Sequence, residues 1–362
     1  MIGNNKSIFF VSLPKSGTVY TWNSLSRVTG LKIPEFHLLQ GWDDYNAGLD
    51  LSCPDIYACG DYNTQLLRPS EMKLYAEGYI FGAHMQSSYH NMRVLEENGI
   101  NKITVLLRDP RDAFVSWVHH LKNLGPSARN YCSKIYHIPR AYFEWSLTKQ
   151  FDFQIRTFLP IVVNWVEGWL DYYASSNKKI NILFVYYDEL KRNPVDYIRR
   201  ITEHHGFTNI DLSKVVVPEV GKMHFRKGEH GQWKEEFTPA NQSLANDLMQ
   251  DRIEHGFYVA AQTHTGLMSS ENLLQSGKYK EAAIEAFQSI IQFPNHSPSY
   301  DALFRAVDRC GENTASLRTR VETELKDLSV DGLFVYRDEL VNDCKNLVCN
   351  LEAKIPSHAL AF

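Results

Sequence analysis

A short run of small residues around one lysine is the part of this chain best suited to hold an anion. Residues 14–18 (PKSGT) follow an apolar, strand-like run and precede a helix-compatible stretch over residues 19–28. In such a loop the backbone N–H groups point at the ligand, the helix dipole adds partial positive charge, and the lysine adds a full charge. The pattern predicts a binding site for a phosphate-bearing ligand.

The residue order in this loop differs from that of the common nucleoside-triphosphate loop. There, GxxxxGK is followed by Ser or Thr, so that the lysine and the hydroxyl serve the phosphates and Mg²⁺ together. Here Lys15 precedes Gly17 by two positions and stands at the start of the loop. This order disfavours a P-loop kinase. A plain strand-to-turn segment with a surface lysine is the structural alternative.

A second pair of polar residues follows another apolar run. Residues 102–107 (KITVLL) predict a buried strand, and Arg108 comes directly after it. Pro110 ends the strand, Asp112 is expected to cap the next helix, and Ser116 falls about two turns into that helix. Because ligands bind at the carboxyl ends of strands in open α/β sheets, Arg108 and Ser116 form a second candidate anion site.

A third motif combines two adjacent cations with a glycine. Arg226 and Lys227 precede Gly228 in a segment with further glycine at Gly231. A flexible loop of this composition can wrap a phosphate, whereas alone it would be read as a solvated charged loop. Its occurrence with the other two motifs favours the phosphate-binding interpretation.

Together, in this order and spacing, the three motifs resemble the sulfotransferase family that uses 3′-phosphoadenosine 5′-phosphosulfate (PAPS). The likeness covers about residues 7–258 and lies nearest to the cytosolic branch that acts on small molecules. It implies that residues 14–18 hold the 5′-phosphosulfate, and that Arg108, Ser116 and residues 226–228 hold the 3′-phosphate. The donor-binding residues that it implies are Lys15, Ser16, Gly17, Thr18, Val19, Tyr20, Arg108, Ser116, Tyr187, Arg226, Lys227 and Gly228.

The adenine-binding part of the pattern departs from that family at one position. Tyr20 stands where the cytosolic branch usually has a tryptophan that stacks on adenine. Tyr187 falls at the position of another adenine contact of the family. The adenine part of the site is therefore expected to differ in its aromatic lining.

The same resemblance implies two catalytic residues. Lys15 would neutralise the charge that grows as the phosphate leaves, and His84, at the end of a strand-like segment before Arg108, would take the proton of the acceptor. An unperturbed imidazole titrates near 6.5 and is a competent base at neutral pH. A structural role is the alternative for this histidine. Weaker candidates for the base are His90, His119 and His120, of which the last two could line the acceptor pocket.

No metal or second cofactor is expected in this scheme. By analogy with phosphoryl transfer, positioning and electrostatic stabilisation supply most of the acceleration. The chain also contains no CxxC pair, HExxH motif or acidic Ca²⁺ loop. PAPS as the donor and its product PAP (adenosine 3′,5′-bisphosphate) are the ligands that the resemblance implies.

The elements that must position these residues form an α/β fold. Strand-like runs that alternate with helix-compatible stretches predict a mostly parallel sheet flanked by helices, with a P-loop-like nucleotide site. A chain of 362 residues with 44% hydrophobic content can bury a large core and hold an appendage as well. The predicted catalytic domain is residues 1–262, and the predicted helical extension is residues 263–362.

The C-terminal extension is expected to be all-helical. Residues 273–294 indicate a helix, a tight turn at Gly277 and an amphipathic helix closed by Pro294, which resembles one tetratricopeptide-like unit. Such units usually need about three copies to bury their faces, so this region is expected to pack on the catalytic domain or another subunit. Docking of a protein partner or a second copy is the sharper hypothesis. It supports a rival function for the whole chain, a catalytically inactive PAPS- or PAP-binding scaffold.

Composition restricts the partners. A formal net charge of −4 argues against a nucleic-acid-binding protein, and no apolar run approaches the length of a membrane span. We therefore expect a cytoplasmic enzyme with a small-molecule acceptor, no membrane contact and reduced cysteines. Two aromatic-rich segments, residues 34–62 and 122–151, are the candidate acceptor pocket, although aromatic side chains also serve as core.

Overall fold

The computed structural model of the chain describes residues 7–33, 67, 72, 78–126, 129–130, 133, 138–175, 178–215, 228–326 and 328–353. Contacts divide the chain into two compact units, Met1–Arg252 and Ile253–Phe362. This division falls inside one long helix, Pro239–Gln262. The domain boundary expected after residue 262 stays a prediction.

Parallel strands form the centre of the first unit. Within the described part of the chain they are β1 (Ile8–Ser12), β2 (Ile80–Ala83), β3 (Lys102–Leu107) and β4 (Asn181–Tyr186). Their order across the sheet is β2-β1-β3-β4, and each neighbouring pair is parallel. The expected α/β fold with a parallel sheet is confirmed.

Helices follow and connect the strands. In chain order they are α1 (Thr18–Thr29), α2 (Tyr89–Glu97), α3 (Pro110–Lys122), α4 (Leu147–Thr157), α5 (Leu159–Ala174), α6 (Tyr187–Arg192), α7 (Pro194–His204), α8 (Gln232–Glu236) and α9 (Pro239–Gln262). Short 3₁₀ turns lie at Arg140–Glu144 and Leu212–Lys214.

The core of this unit surrounds the central strands. All five residues of β1 are buried, as expected for a parallel strand covered on both faces. Side chains of a strand alternate between its faces, so Ile8 and Phe10 point to the same side. They share a cluster with side chains of α1 and α7, namely Leu25, Val28, Tyr197, Ile198 and Ile201. This packing fixes the start of α1, and with it the loop that precedes the helix.

The strand order opens a crevice at the carboxyl ends of β1 and β3. From β1 the chain continues to β2, whereas from β3 it continues to β4 on the other side of that central pair. Adjacent parallel strands whose connections leave in opposite directions form the usual ligand-binding crevice of α/β sheets. Ser12 is paired with Leu106 in the register of the two strands. The loop after β1 and Arg108 after β3 therefore lie side by side.

The second unit is helical in its described residues. Its helices are α10 (Thr265–Gln275), α11 (Tyr279–Gln292), α12 (Ser297–Arg309), α13 (Ala315–Leu325) and α14 (Asp338–Ala353). The first two approach closely, since Ser270 Oγ donates to the Ala282 carbonyl at 2.8 Å, and a Cβ at Gly266 would lie 2.8 Å from the Glu285 carbonyl oxygen. The helical character of the extension is confirmed, and its tetratricopeptide-like nature stays a prediction.

Among the described residues, none of the helices combines the length and apolarity that crossing a bilayer requires.

Candidate active site

The loop between β1 and α1 has a backbone that few side chains tolerate. Lys15 has φ of 63° and Gly17 has φ of 92°, both in the left-handed region. A Cβ at Gly17 would lie 2.8 Å from Leu190 Cδ2, so no other residue fits without moving that side chain. Non-glycine residues in this region cost of order 1–3 kcal/mol and occur where surrounding contacts hold them. The loop is therefore held in one shape by its neighbours.

Arg108 is one of those neighbours. Its Nη1 donates to the Lys15 carbonyl at 2.6 Å, and its Cζ lies 4.1 Å from the centre of the Tyr187 ring. A longer contact of 3.5 Å joins its Nη2 to the Glu229 carbonyl. The guanidinium, 4% exposed, thus links the loop after β1, the start of α6 and the end of the third predicted motif.

Several polar groups at this crevice have no partner in the described part of the protein. Ser16 Oγ and Arg108 Nε are buried without a hydrogen bond there. Within the same described residues, no carboxylate lies within ion-pair distance of the Lys15 ammonium or the Arg108 guanidinium. Buried polar groups are normally paired, and buried charges almost always are. The arrangement fits an anionic ligand that would satisfy these groups together.

The protonated form of Lys15 is destabilised in this setting. Burial, and then the positive charge of Arg108, lower the pKa of Lys15 from 10.5 to about 8. An anion placed between the two cations would reverse the second of these effects, because opposite charge favours the protonated form.

The other residues of the predicted 5′ loop lie at the start of α1. Thr18 is buried, and its Oγ1 lies 2.7 Å from Ser12 Oγ. Val19 is exposed, and Tyr20 is partly buried against the core cluster. Burial raises the pKa of Tyr20, so its phenol stays neutral.

The predicted 3′-phosphate residues are described in part. Ser116 is partly exposed on α3 and follows Arg108 at the carboxyl end of β3. Gly228 is buried with φ of 66°. Arg226 and Lys227 lie outside the described residues. Tyr187 is buried beneath Arg108.

The helix cap that the sequence indicated at Asp112 was wrong. Asp109 is the N-cap of α3, and its side chain accepts from Arg111 N at 2.9 Å. The physical reason is that Pro110 occupies the first helical turn, which places the cap directly before it. Asp112 lies inside the helix, and its carboxylate instead binds backbone of a distant segment.

His84 lies beside the same loop, at the end of β2. Its Nδ1 is 2.8 Å from the Ser12 carbonyl, which can only accept, so Nδ1 carries the proton. Nε2 is then the nitrogen whose lone pair can take a proton. Loss of hydration lowers the pKa of His84 to about 4, against a smaller opposing effect of the Ser12 carbonyl, and the charge of Lys15 lowers it further. The imidazole is therefore neutral across the physiological range.

The alternative histidines have other contacts. His90 is exposed, with Nε2 3.2 Å from the Leu67 carbonyl. His119 pairs with Glu236 of α8, and its ring meets Phe151 edge-on. His120 packs against Trp117. His84 as the base stays a prediction. Its bond to Ser12 places the imidazole beside the end of β1, two residues before the predicted phosphate loop.

Two tryptophans of α5 hold the chain at His84. Trp165 Nε1 donates to the carbonyls of His84 and Met85 at 3.0 and 2.9 Å, and Trp169 Nε1 donates to Met85 at 3.3 Å. Both indoles are essentially fully buried. The position of the histidine is thus set from two sides, by β1 and by α5.

Replacing Trp165 by phenylalanine tests this support. The ring volume stays, but the buried His84 carbonyl loses its donor, so we expect a loss of about 1–3 kcal/mol in unfolding free energy. Urea denaturation measures that loss, and steady-state kinetics should show a lower kcat with unchanged KM for PAPS. Trp169→Phe is the matched control, since Trp169 Nε1 donates to the Met85 carbonyl and should affect kcat less.

The candidate acceptor segments are only partly described. Tyr142 is fully buried and packs against Phe143, Trp145 and Phe153, which is the behaviour of core. Residues 34–62 lie outside the described residues.

The sequence patterns did not indicate Ser12, Trp165 or the hydrogen bonds of Asp112, because each of these residues contacts a partner that is far away in the sequence.

Comparison with known proteins identifies the class. The family model for the sulfotransferase domain matches residues 5–219, and the chain belongs to that family. Sulfotransferase 6B1 of Mus musculus is 26% identical over 241 residues, which cover 58% of this chain and 71% of the mouse protein. Cytosolic sulfotransferase 13 of Arabidopsis thaliana is 26% identical over 165 residues, which cover 38% of this chain and 47% of that protein.

One solved structure aligns with much of the chain. Mouse sulfotransferase SULT7A1, complexed with PAP, aligns over 71% of this chain and 89% of its own at 18% identity, with a TM-score of 0.44. In the described part of this chain, no group of three or more His, Cys, Asp or Glu side chains is arranged to hold a metal ion.

Proposed function

We propose that this chain transfers a sulfuryl group from PAPS to a hydroxyl or amine of a small molecule. The observation that carries the proposal is the crevice between β1 and β3. There Lys15 and Arg108 converge without a carboxylate partner among the described residues, beside the unpaired Ser16 Oγ and Arg108 Nε. A nucleotide with phosphate groups at both ends would satisfy these groups together, which membership of the sulfotransferase family supports.

The residues divide into two binding regions. Lys15, Ser16, Gly17 and Thr18 would hold the 5′ end, where backbone N–H groups at the start of α1 favour negative charge. Arg108 and Ser116 would hold the 3′-phosphate. PAPS would supply the sulfuryl group itself.

Two residues would do the catalytic work on this chain's side. The Lys15 ammonium would stabilise negative charge growing on the 5′-phosphate as the sulfur–oxygen bond breaks. His84 Nε2 would accept the proton of the attacking hydroxyl or amine, since Nδ1–H is engaged by the Ser12 carbonyl. Ser12 links the proposed base to the proposed 5′ loop, because its carbonyl accepts from His84 Nδ1 and its Oγ is hydrogen-bonded to Thr18 Oγ1.

We also propose a cytoplasmic location and a small-molecule acceptor. The relatives that are named cytosolic sulfotransferases support a cytoplasmic enzyme with a small-molecule acceptor. Docking of a protein partner, or of a second copy, to the C-terminal helices remains our hypothesis for that unit.

Nucleotide-dependent stabilisation tests the proposed site. A ligand that binds only the folded state stabilises it by about 2.7 kcal/mol at 100 times its Kd. We expect PAP to raise the melting temperature and Mg-ATP at equal concentration to leave it unchanged. Stabilisation by Mg-ATP alone would favour a kinase, and no stabilisation by either nucleotide would refute the proposed function.

Arg108→Ala should weaken PAP binding by roughly 10- to 100-fold, because charge-assisted bonds to a phosphate are lost. At saturating PAPS, kcat should change much less. Titration calorimetry with PAP measures the first effect. Arg108→Lys keeps the charge but lacks the planar guanidinium, so its affinity for PAP should lie between those of the native protein and Arg108→Ala. Equal affinity of Arg108→Ala and the native protein would remove Arg108 from the site.

A further inference from the structure

The Asp112 carboxylate binds a turn that lies far along the chain. It is carried by α3, between Arg108 and Ser116, and is 1% exposed. Its Oδ2 accepts from Gly231 N at 2.7 Å and its Oδ1 accepts from Trp233 N at 3.3 Å. His230 Nδ1 lies 3.7 Å from Oδ2. Both oxygens are thus committed to the segment that follows Gly228.

These bonds fix the entry into α8. Gly231 precedes that helix with φ of 77° and has no side chain with which to cap it. The first N–H groups of a helix have no partner within the helix, and a buried carboxylate is costly unless it accepts hydrogen bonds. The carboxylate of α3 and the N–H groups of the turn therefore satisfy each other, and either would be destabilised alone.

The turn that Asp112 holds also contacts Arg108. The Glu229 carbonyl accepts from Gln232 Nε2 at 2.9 Å and from Arg108 Nη2 at 3.5 Å. On its other side the guanidinium donates to the Lys15 carbonyl. Arg108 is therefore held between the phosphate loop and the turn at residues 228–231, and its unpaired Nε faces neither of those carbonyls.

We propose that Asp112 is a positioning residue for the 3′-phosphate half of the nucleotide site. It fixes the turn at residues 228–231 against Arg108, and so fixes the direction in which the guanidinium presents its remaining donors. This inference rests on the proposed function, because it assumes that Arg108 binds the 3′-phosphate. The carboxylate holds the turn by hydrogen bonds, and its negative charge also interacts with Arg108.

The test compares two nucleotides that differ at the 3′ position. PAP has a 3′-phosphate, whereas adenosine 5′-diphosphate fills the 5′ site and lacks it. In the native protein PAP should bind more tightly than adenosine 5′-diphosphate in titration calorimetry. Asp112→Asn places an amide NH₂ against a backbone N–H, so we expect that preference for PAP to fall about tenfold. Affinity for adenosine 5′-diphosphate should stay within about twofold of the native value.

Glu236→Gln is the matched control. Glu236 pairs with His119 and ties the other end of α8 to the same helix α3. Glu236→Gln should lower the melting temperature about as much as Asp112→Asn does, and it should leave the preference for PAP unchanged. If Asp112→Asn fails to fold, Gly231→Ala disturbs the same turn from the other side. The added Cβ strains the positive φ and has room, since it would lie 3.9 Å from Lys234 Cδ. That variant should show the same selective loss.

The outcomes separate the two levels of the proposal. If Asp112→Asn binds both nucleotides more weakly by the same factor, or binds both as tightly as the native protein, the positioning role is overturned. A native protein that binds the two nucleotides equally would instead refute the proposed 3′-phosphate site, and with it this part of the proposed function.

Discussion

Lys15→Ala is expected to lower kcat for sulfuryl transfer by about 10² to 10³, as is typical when one preorganised stabiliser of developing charge is removed. The ammonium is the only charge that the loop between β1 and α1 supplies, whereas Arg108 follows β3 and donates to the Lys15 carbonyl. PAP affinity should fall less than kcat, because the charge on the phosphate grows during transfer. Single-turnover kinetics at saturating PAPS measures the chemical step.

The pH dependence gives a second readout for Lys15. Its pKa is lowered to about 8, mainly by burial and also by Arg108, and only the protonated form can stabilise the leaving phosphate. The value of kcat/KM, which reports the free enzyme, should therefore fall as pH rises through about 8. In Lys15→Ala this alkaline limb should disappear.

Lys178→Ala is the control for general effects of removing a partly buried amine. Lys178 also has a pKa lowered by burial, and it donates to the Tyr173 carbonyl at 2.7 Å. Its loss should leave kcat and the alkaline limb unchanged. Near-native turnover of Lys15→Ala beside a normal control would contradict the role of Lys15.

His84→Gln is expected to lower kcat by about 10² to 10⁴, the usual contribution of a general base. The glutamine side chain is of similar length and polar, and its amide nitrogen takes the place of Nε2 without a lone pair that can accept a proton. In the native enzyme, kcat/KM should fall as pH falls through about 4, where the imidazole becomes protonated, and should stay flat near neutrality.

His204→Gln is the matched control for His84. Burial also lowers the pKa of His204 to about 4, and its Nε2 lies 3.1 Å from the Ile103 carbonyl. This variant should keep kcat near the native value. Turnover of His84→Gln within a few-fold of native, or an acid limb that persists in it unchanged, would assign the base to another residue.

The residues of the proposed nucleotide site could be selected from the sequence because their motifs are local. The lysine, the glycine with positive φ and the helix start all lie within residues 14–18, and Arg108 directly follows its strand. One general rule, that ligands bind at the carboxyl ends of parallel strands, was enough to bring them together. The strand order that makes β1 and β3 neighbours came only from the structure.

The supporting residues could not be predicted, because their partners are remote in sequence. Asp112 had the residue type of a cap, yet it binds Gly231, 119 positions away. Trp165 bonds the Met85 carbonyl across 80 positions. No local spacing rule records such a contact. The identity of the acceptor could not be predicted either, because aromatic residues such as those of segments 34–62 and 122–151 occur both in binding pockets and in hydrophobic cores.

Transfer of labelled sulfuryl from PAPS to a broad panel of small-molecule hydroxyls and amines is the most direct test of the proposed activity. Our account predicts that the native protein labels at least one acceptor, and that Lys15→Ala and His84→Gln label it at least 100-fold more slowly. A native protein that binds PAP and labels no acceptor would contradict the account and favour the inactive scaffold.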